Sequence, residues 1–131
     1  MTDVQKPPAR DPFDLPNVAG LKIGVLGGTG EQGRGLAVRW AQAGHEVVVG
    51  SRDEQRAASA AAEIGHGVTG LANQACAAAA DVVVAAVPWA GHSELLASLQ
   101  AELANKIVID CVNPLGFDKQ GAFPLSVEQG S

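Results

Sequence analysis

The chain has 131 residues, 47% of them hydrophobic and 18% charged, which is the size of one domain with enough apolar residues to bury a core. Its formal net charge of −5 at pH 7 argues against a nucleic-acid or anionic-membrane partner, because phosphate-rich surfaces bind broad basic faces. The N-terminus lacks the apolar core of a signal peptide, and no apolar run approaches the roughly 20 residues that span a bilayer, so we expect a cytoplasmic protein with reduced cysteines.

The first 20 residues, MTDVQKPPARDPFDLPNVAG, mix prolines with charges. They show neither the period of 2 that is typical of a strand nor the period of 3.6 that is typical of a helix. We therefore predict a disordered or extended N-terminal tail over residues 1–20.

From residue 21 to residue 115 the pattern alternates between apolar runs and helical periods. Strands are predicted over 21–26, 46–50, 68–71, 81–87 and 106–111, and helices over 30–43, 53–64, 73–79 and 91–104. Wholly apolar strands separated by helices indicate a parallel sheet covered on both faces. Right-handed crossovers then give an α/β fold, a doubly wound parallel sheet of the Rossmann type in a single domain, with strand order 3-2-1-4-5. Residues 116–131 have no long helical period, which predicts a loop or an edge strand.

A glycine cluster separates the first predicted strand from the first helix. Gly28, Gly30 and Gly33 fit the spacing G-x-G-x-x-G of dinucleotide-binding folds, where the glycines allow a tight turn, close approach to a pyrophosphate and close packing of helix on strand. The helix N-terminus offers free N–H groups to the phosphates, and Thr29 adds a hydroxyl. A plain turn between strand and helix is the alternative interpretation.

The second pattern follows the second predicted strand. Ser51 stands about where a dinucleotide fold places the residue that reads the adenine ribose. Ser51, Arg52 and Arg56 together supply the donors and positive charge that a 2′-phosphate requires, which predicts an NADP site. In the alternative interpretation, Arg56 is a solvated surface charge and Asp53 is the acid that would bind the ribose of NAD.

The third pattern is Val87-Pro88-Trp89, which follows the fourth predicted strand and lies by topology beside the glycine turn. Pro88 and Trp89 are predicted to flank the nicotinamide end of a cofactor, with core packing of the indole as the alternative. Asn113, in the loop after the fifth strand, is predicted to reach the nicotinamide ribose or carboxamide. His92 is the histidine nearest this cleft.

The sequence shows no nucleophile elbow, no paired-cysteine metal spacing and no convergent carboxylate pair. We therefore assign no catalytic side chain, not even His92, and no metal site. This agrees with hydride transfer, in which the cofactor carries the chemistry and the protein supplies orientation.

Taken together, the segments GGTGEQGRGLA, GHEVVVGSR with Arg56, and VPW resemble the coenzyme F420-dependent NADP oxidoreductases, which pass hydride between NADP(H) and the deazaflavin F420. The likeness covers about residues 21–115, which is then an NADP-binding domain. The resemblance implies contacts to the cofactor phosphates from Thr29, Gly30, Glu31 and Gln32, contacts to the 2′-phosphate from Ser51, Arg52 and Arg56, and a position beside the cofactor for Val87.

The resemblance implies that the chain is the NADP(H)-binding domain of an oxidoreductase that transfers hydride between NADPH and coenzyme F420 or a similar small acceptor. The family continues into a largely helical C-terminal domain that helps to form the deazaflavin cleft and the dimer, and residues 116–131 hold no such domain. We therefore expect NADPH binding with little or no F420 reduction, and a homodimer formed through the C-terminal edge. Two alternatives stay open: a non-catalytic NADP(H)-binding or redox-sensing module, and the cofactor domain of another NADPH-dependent reductase.

Overall fold

The structure, a computed structural model, describes residues 5–128. Its strands are β1 (Ile23–Leu26), β2 (Val47–Ser51), β3 (Thr69–Ala72), β4 (Val82–Ala85), β5 (Ile107–Asp110), β6 (Leu115–Asp118) and β7 (Gly121–Pro124). Its helices are α1 (Glu31–Gln42), α2 (Glu54–Ile64), α3 (Asn73–Ala79), α4 (His92–Ser98) and α5 (Gln100–Leu103). Residues 5–20 are exposed and form neither helix nor strand, while residues 1–4 of the predicted tail lie outside the described residues.

The first five strands form one parallel sheet in the order β3-β2-β1-β4-β5, which confirms the predicted doubly wound topology. β1 lies at its centre, with Ile23 aligned to Val47 on β2 and to Val82 on β4. All residues of β1 and β2 are buried. These strands have no polar face because helices cover both sides of the central sheet.

Alternate residues of the central strands point into two separate cores. Val25 and Val49 pack with Ala37 of α1 and Ala61 of α2 on one face. On the opposite face Leu26, Val48 and Val83 pack with Cys76 and Ala77 of α3 and with Leu99. Each buried valine or leucine stabilises the fold by about 1.5–3 kcal/mol relative to an exposed one.

Small residues bring the alanine-rich helices close to the sheet. A Cβ added at Gly70 of β3 would lie 2.1 Å from the carbonyl oxygen of Ala57 in α2. No side chain fits at that position, because real Cβ atoms do not approach a backbone oxygen so closely. The first turn of α2 therefore packs directly on β3.

Cys76 is buried in the core between the sheet and α3. The side chain is fully buried, its Sγ donates to the carbonyl oxygen of Val48 at 3.6 Å, and burial raises the pKa of the thiol to about 12. The thiolate is the nucleophile that attacks thiol reagents, and it is scarce at pH 8 when the pKa is raised this far. We expect one rapidly labelled thiol in the native chain, that of the half-buried Cys111, and two after denaturation. Rapid labelling of both thiols by a disulfide reagent would contradict this burial.

Two features differ from the sequence predictions. The helix expected over 91–104 is divided at Leu99, whose φ of −103° and ψ of 13° are not helical, because that residue inserts into the core and ends α4. The segment expected to be a loop or an edge strand forms an antiparallel hairpin, β6 with β7, separate from the parallel sheet. Residues 129–131 of that segment lie outside the described residues.

β5 is the edge of the sheet and is only partly covered. Ile107 is 60% exposed and Ile109 is 45% exposed, and both face an apolar groove shared with Trp40, Val82 and Val84. Within residues 5–128, the structure has no helix long and apolar enough to cross a membrane, and no group of three or more metal-ligating side chains.

Candidate binding cleft at the carboxyl edge of the sheet

A cleft opens where β1, β2 and β4 end. It lies between the glycine turn after β1, the turn between β2 and α2, and the segment after β4. The residues that line it are Gly27, Thr29, Gly30, Ser51, Arg52, Arg56, Asn73, Ala86, Val87, Pro88, Ala90, Gly91 and Leu95. In doubly wound sheets this edge, at the point where the strand order reverses, is where ligands bind.

The three glycines of the predicted motif have different surroundings. A Cβ at Gly28 would lie 2.5 Å from Cβ of Val49, and a Cβ at Gly33 would lie 2.6 Å from the carbonyl oxygen of Gly27. Gly28 and Gly33 are therefore required for packing. At Gly30 the nearest atom to an added Cβ is the Gly27 oxygen at 3.5 Å, so this position faces the cleft.

The N-terminus of α1 also faces the cleft. Gly30 is the N-cap residue and has no side chain to occupy the free N–H groups of the first turn. Glu31 and Gln32, predicted to contact phosphates, are exposed and do not line the cleft with their side chains. What they can offer a bound anion is their backbone N–H groups.

Arg34, which the sequence analysis did not single out, holds the glycine turn in place. Its Nε donates to the carbonyl oxygen of Thr29 at 3.0 Å, and its Nη1 pairs with Glu63 of α2. The turn after β1 is thereby tied to the helix that carries Arg56.

The turn after β2 brings Ser51, Arg52 and Arg56 to the cleft as predicted. Ser51 is buried at the end of the strand, whereas both arginines are exposed. Asp53 does not line the cleft but caps α2, where its Oδ1 accepts from the backbone N–H of Gln55 at 2.8 Å and of Arg56 at 3.4 Å. The charged residues that line the cleft are both arginines, so an acidic chain has a locally positive site.

Asn73, the first residue of α3, lines the cleft although no sequence pattern pointed to it. The residue is 7% exposed, and its buried Oδ1 has no hydrogen-bond partner within residues 5–128. A buried amide oxygen without a partner costs about 1–3 kcal/mol. Such an oxygen is suited to accept a hydrogen bond from a bound ligand.

The segment after β4 contributes only part of what was predicted. Val87 and Pro88 line the cleft, but Trp89 turns its indole onto the ring of His92, with ring centroids 5.6 Å apart and planes 19° apart. Asn113 is exposed and does not line the cleft. The predicted cofactor contacts of Trp89 and Asn113 stay predictions.

Comparison with known proteins was made over the whole chain. The family described as NADP oxidoreductase, coenzyme F420-dependent, matches residues 22–114. The F420-dependent NADP reductase of Methanothermobacter thermautotrophicus is 43% identical over 102 residues, which cover 72% of this chain and 44% of that protein. The F420-dependent NADP reductase of Methanocaldococcus jannaschii is 36% identical over 104 residues, covering 72% of this chain and 46% of that protein. The chain thus spans less than half the length of these relatives.

Solved structures also resemble this chain. A protein of Arthrobacter sp. FB24, named as a candidate F420-dependent NADP reductase, superposes with a TM-score of 0.72 and 34% identity, covering 86% of this chain and 55% of that chain. The pyrroline carboxylate reductase of Plasmodium falciparum, solved with NADP bound, gives a TM-score of 0.60 and 19% identity, covering 76% and 36%. At that identity the second likeness concerns the fold alone.

Proposed function

Since the chain belongs to the family of coenzyme F420-dependent NADP oxidoreductases, we propose that it binds NADP(H) in the cleft as the cofactor-binding part of an enzyme that transfers hydride between NADPH and F420. The observation that carries the proposal is the arginine pair at the end of β2. Arg52 and Arg56 line the cleft beside Ser51, while Asp53 is engaged in capping α2. A 2′-phosphate binds such donors, whereas the ribose of NAD is usually met by a free carboxylate.

The glycine turn fits the pyrophosphate of the same cofactor. Gly30 leaves open the space that a side chain would fill, and the free N–H groups of α1 begin next to it. Two negatively charged phosphates are stabilised by those N–H groups and by the positive end of the helix dipole. Val87 and Pro88 would then stand beside the nicotinamide, which supplies the hydride when the cofactor is bound.

We expect Asn73 to contact the adenosine end of the cofactor. Its unpaired Oδ1 lies close to Gly50, next to Ser51, and the adenosine of NADP carries hydroxyl and amino donors. We expect Asn73→Ala to weaken NADPH binding by about 2- to 12-fold, because one buried hydrogen bond contributes about 0.5–1.5 kcal/mol. The free chain should be as stable as before or more so, since an unpaired buried oxygen is removed.

Calorimetric titration and thermal unfolding of the Asn73→Ala chain measure these two effects separately. Asn17→Ala is the matched control, because that asparagine is exposed and lies outside the lining of the cleft. An NADPH affinity of Asn73→Ala equal to that of the control would remove Asn73 from the binding site.

The hydride acceptor is tested with the purified chain, NADPH and F420. The reductases that match are more than twice as long as the part matched here. We expect NADPH to bind and F420 to be reduced far more slowly than the roughly 1–10³ turnovers per second of ordinary enzymes. Failure to bind NADPH would refute the proposal, and rapid turnover would show that this chain holds both substrates.

The homodimer stays a prediction. Its support is the edge position of β5 and the exposure of Ile107 and Ile109, because uncovered edges with apolar residues favour association.

A further inference from the structure

His92, to which the sequence assigned no role, makes two side-chain contacts next to the cleft. Its Nε2 lies 2.8 Å from Oδ2 of Asp110, the last residue of β5, and its ring stacks on Trp89. The His92 side chain is 11% exposed, which is unusual for a histidine in the first turn of a surface helix. The Asp110 side chain is 45% exposed.

Hydrogen bonds hold both partners in place. The carboxylate of Asp110 accepts from the backbone N–H of Val112 through Oδ1 at 3.0 Å, which leaves Oδ2 for the imidazole. A carboxylate only accepts hydrogen bonds, so Nε2 is the donor in this contact. The backbone N–H of His92 donates to the carbonyl oxygen of Trp89 at 3.1 Å and closes the turn that contains Gly91.

That turn belongs to the wall of the cleft. Within the segment formed by residues 86–91, here called the β4 segment, every residue except Trp89 lines the cleft. The imidazole of His92 is thus hydrogen-bonded to Asp110 at the end of β5. It also stacks on Trp89, the one residue of the β4 segment that does not line the cleft. The start of the β4 segment is also held by the backbone, because the N–H of Ala86 donates to the carbonyl oxygen of Leu26 at 3.0 Å. We expect loss of either His92 contact to shift the other end, the turn from Trp89 to Gly91, because no other side chain anchors it among the described hydrogen bonds.

We propose that His92 and Asp110 are positioning residues that hold the β4 segment where the nicotinamide half of the cofactor binds. The inference rests on the proposed function and deepens it. The described side-chain contacts of the pair are with Trp89 and Val112, whereas the glycine turn packs on the other end of the β4 segment, at Ala86 and Val87. The pair therefore acts on the Trp89 end of the segment. Loss of the pair should therefore weaken ligands that reach the β4 segment and leave those that end at the pyrophosphate unaffected.

The test compares NADPH with adenosine 2′,5′-bisphosphate, which has the 2′-phosphate and adenine but no nicotinamide. His92→Phe keeps an aromatic ring for Trp89 and removes the hydrogen bond, while Asp110→Asn removes the charge at nearly constant size. We expect each variant to bind NADPH about 10-fold more weakly and the bisphosphate unchanged, with the double variant no weaker than either single one. Glu94→Gln, which neutralises an exposed carboxylate of the same helix, should change neither affinity.

Unchanged NADPH affinity in both single variants would overturn the proposal, as would an equal loss of affinity for both ligands or additive losses in the double variant.

A second measurement, tryptophan fluorescence, needs no cofactor. The chain has two tryptophans, so in a Trp40→Phe background the emission of Trp89 reports its stacking alone. Asp110→Asn should make Trp89 more accessible to acrylamide than Glu94→Gln does, and equal quenching would refute the pair even if the wild-type chain bound neither ligand and the proposed function failed.

Discussion

We expect the chain to bind NADPH about 10² to 10⁴ times more tightly than NADH. The two cofactors differ by one phosphate, and the proposed position of that phosphate is beside Ser51, Arg52 and Arg56. Charge-assisted hydrogen bonds contribute roughly 1.5–3 kcal/mol each, so two of them leave roughly 3–5 kcal/mol after desolvation. At about 1.4 kcal/mol per decade this gives the stated ratio.

Replacing Arg52 and Arg56 with alanine should remove most of that preference and leave NADH affinity nearly unchanged. Titration of both cofactors into the wild-type and variant chains measures the ratio directly. Arg39→Ala is a suitable control, because Arg39 is an exposed arginine at the end of α1 that does not line the cleft. Equal affinities for the two cofactors in the wild-type chain would restore Asp53 as a candidate ribose ligand.

The preference should also fall as salt is added. Both arginines are exposed, so their attraction to a phosphate is screened over about 10 Å at 0.1 M ionic strength. Both cofactors would bind through Gly30 and the α1 N-terminus, so this contribution raises both affinities equally and does not change the ratio of NADPH affinity to NADH affinity. A ratio that does not change with ionic strength would indicate discrimination by shape and not by charge.

Gly30→Val should abolish dinucleotide binding and leave the sheet folded. The backbone of Gly30 has φ of −82° and ψ of 169°, an extended conformation that valine adopts readily. A Cβ there meets no described atom closer than 3.5 Å, so the added methyl groups extend into the cleft where the pyrophosphate must approach the backbone. Circular dichroism and calorimetry separate folding from binding.

Gly33→Ala provides the contrast. Its Cβ would lie 2.6 Å from the Gly27 oxygen and 2.8 Å from Cα of Gly28, both of which are backbone atoms with no room to move. We expect that variant to lose roughly 1–3 kcal/mol of stability through overpacking, as well as binding. Wild-type affinity in Gly30→Val would show that the glycine turn is only a turn, whereas unaltered stability in Gly33→Ala would show that α1 can move away from the sheet.

The sequence by itself determined the architecture and which side chains follow the strands at the candidate cleft. Apolar runs such as Val47–Val49 and Val82–Val84 can be buried only in a sheet covered on both faces, and the helical periods between them require parallel crossovers. These are local properties of the sequence, because a hydrophobic period or a turn is recognised from a few consecutive residues. The donors and the positive charge of Ser51, Arg52 and Arg56 are likewise properties of the side chains themselves. Locating them at the candidate site required only that they follow β2.

Only the tertiary structure decided which of these residues face the cleft. Gly28, Gly30 and Gly33 are alike in sequence, but the atoms around them leave no room for a Cβ at Gly28 and Gly33 and leave room for one at Gly30, which faces the cleft. Asn73 became a candidate because α3 buries its amide at the cleft, and Trp89 was turned away by its contact with His92. His92 and Asp110 are 18 residues apart, and they meet because β4 and β5 are adjacent in the sheet. Such long-range contacts depend on how packed elements are oriented in space, which the local period of a sequence does not contain.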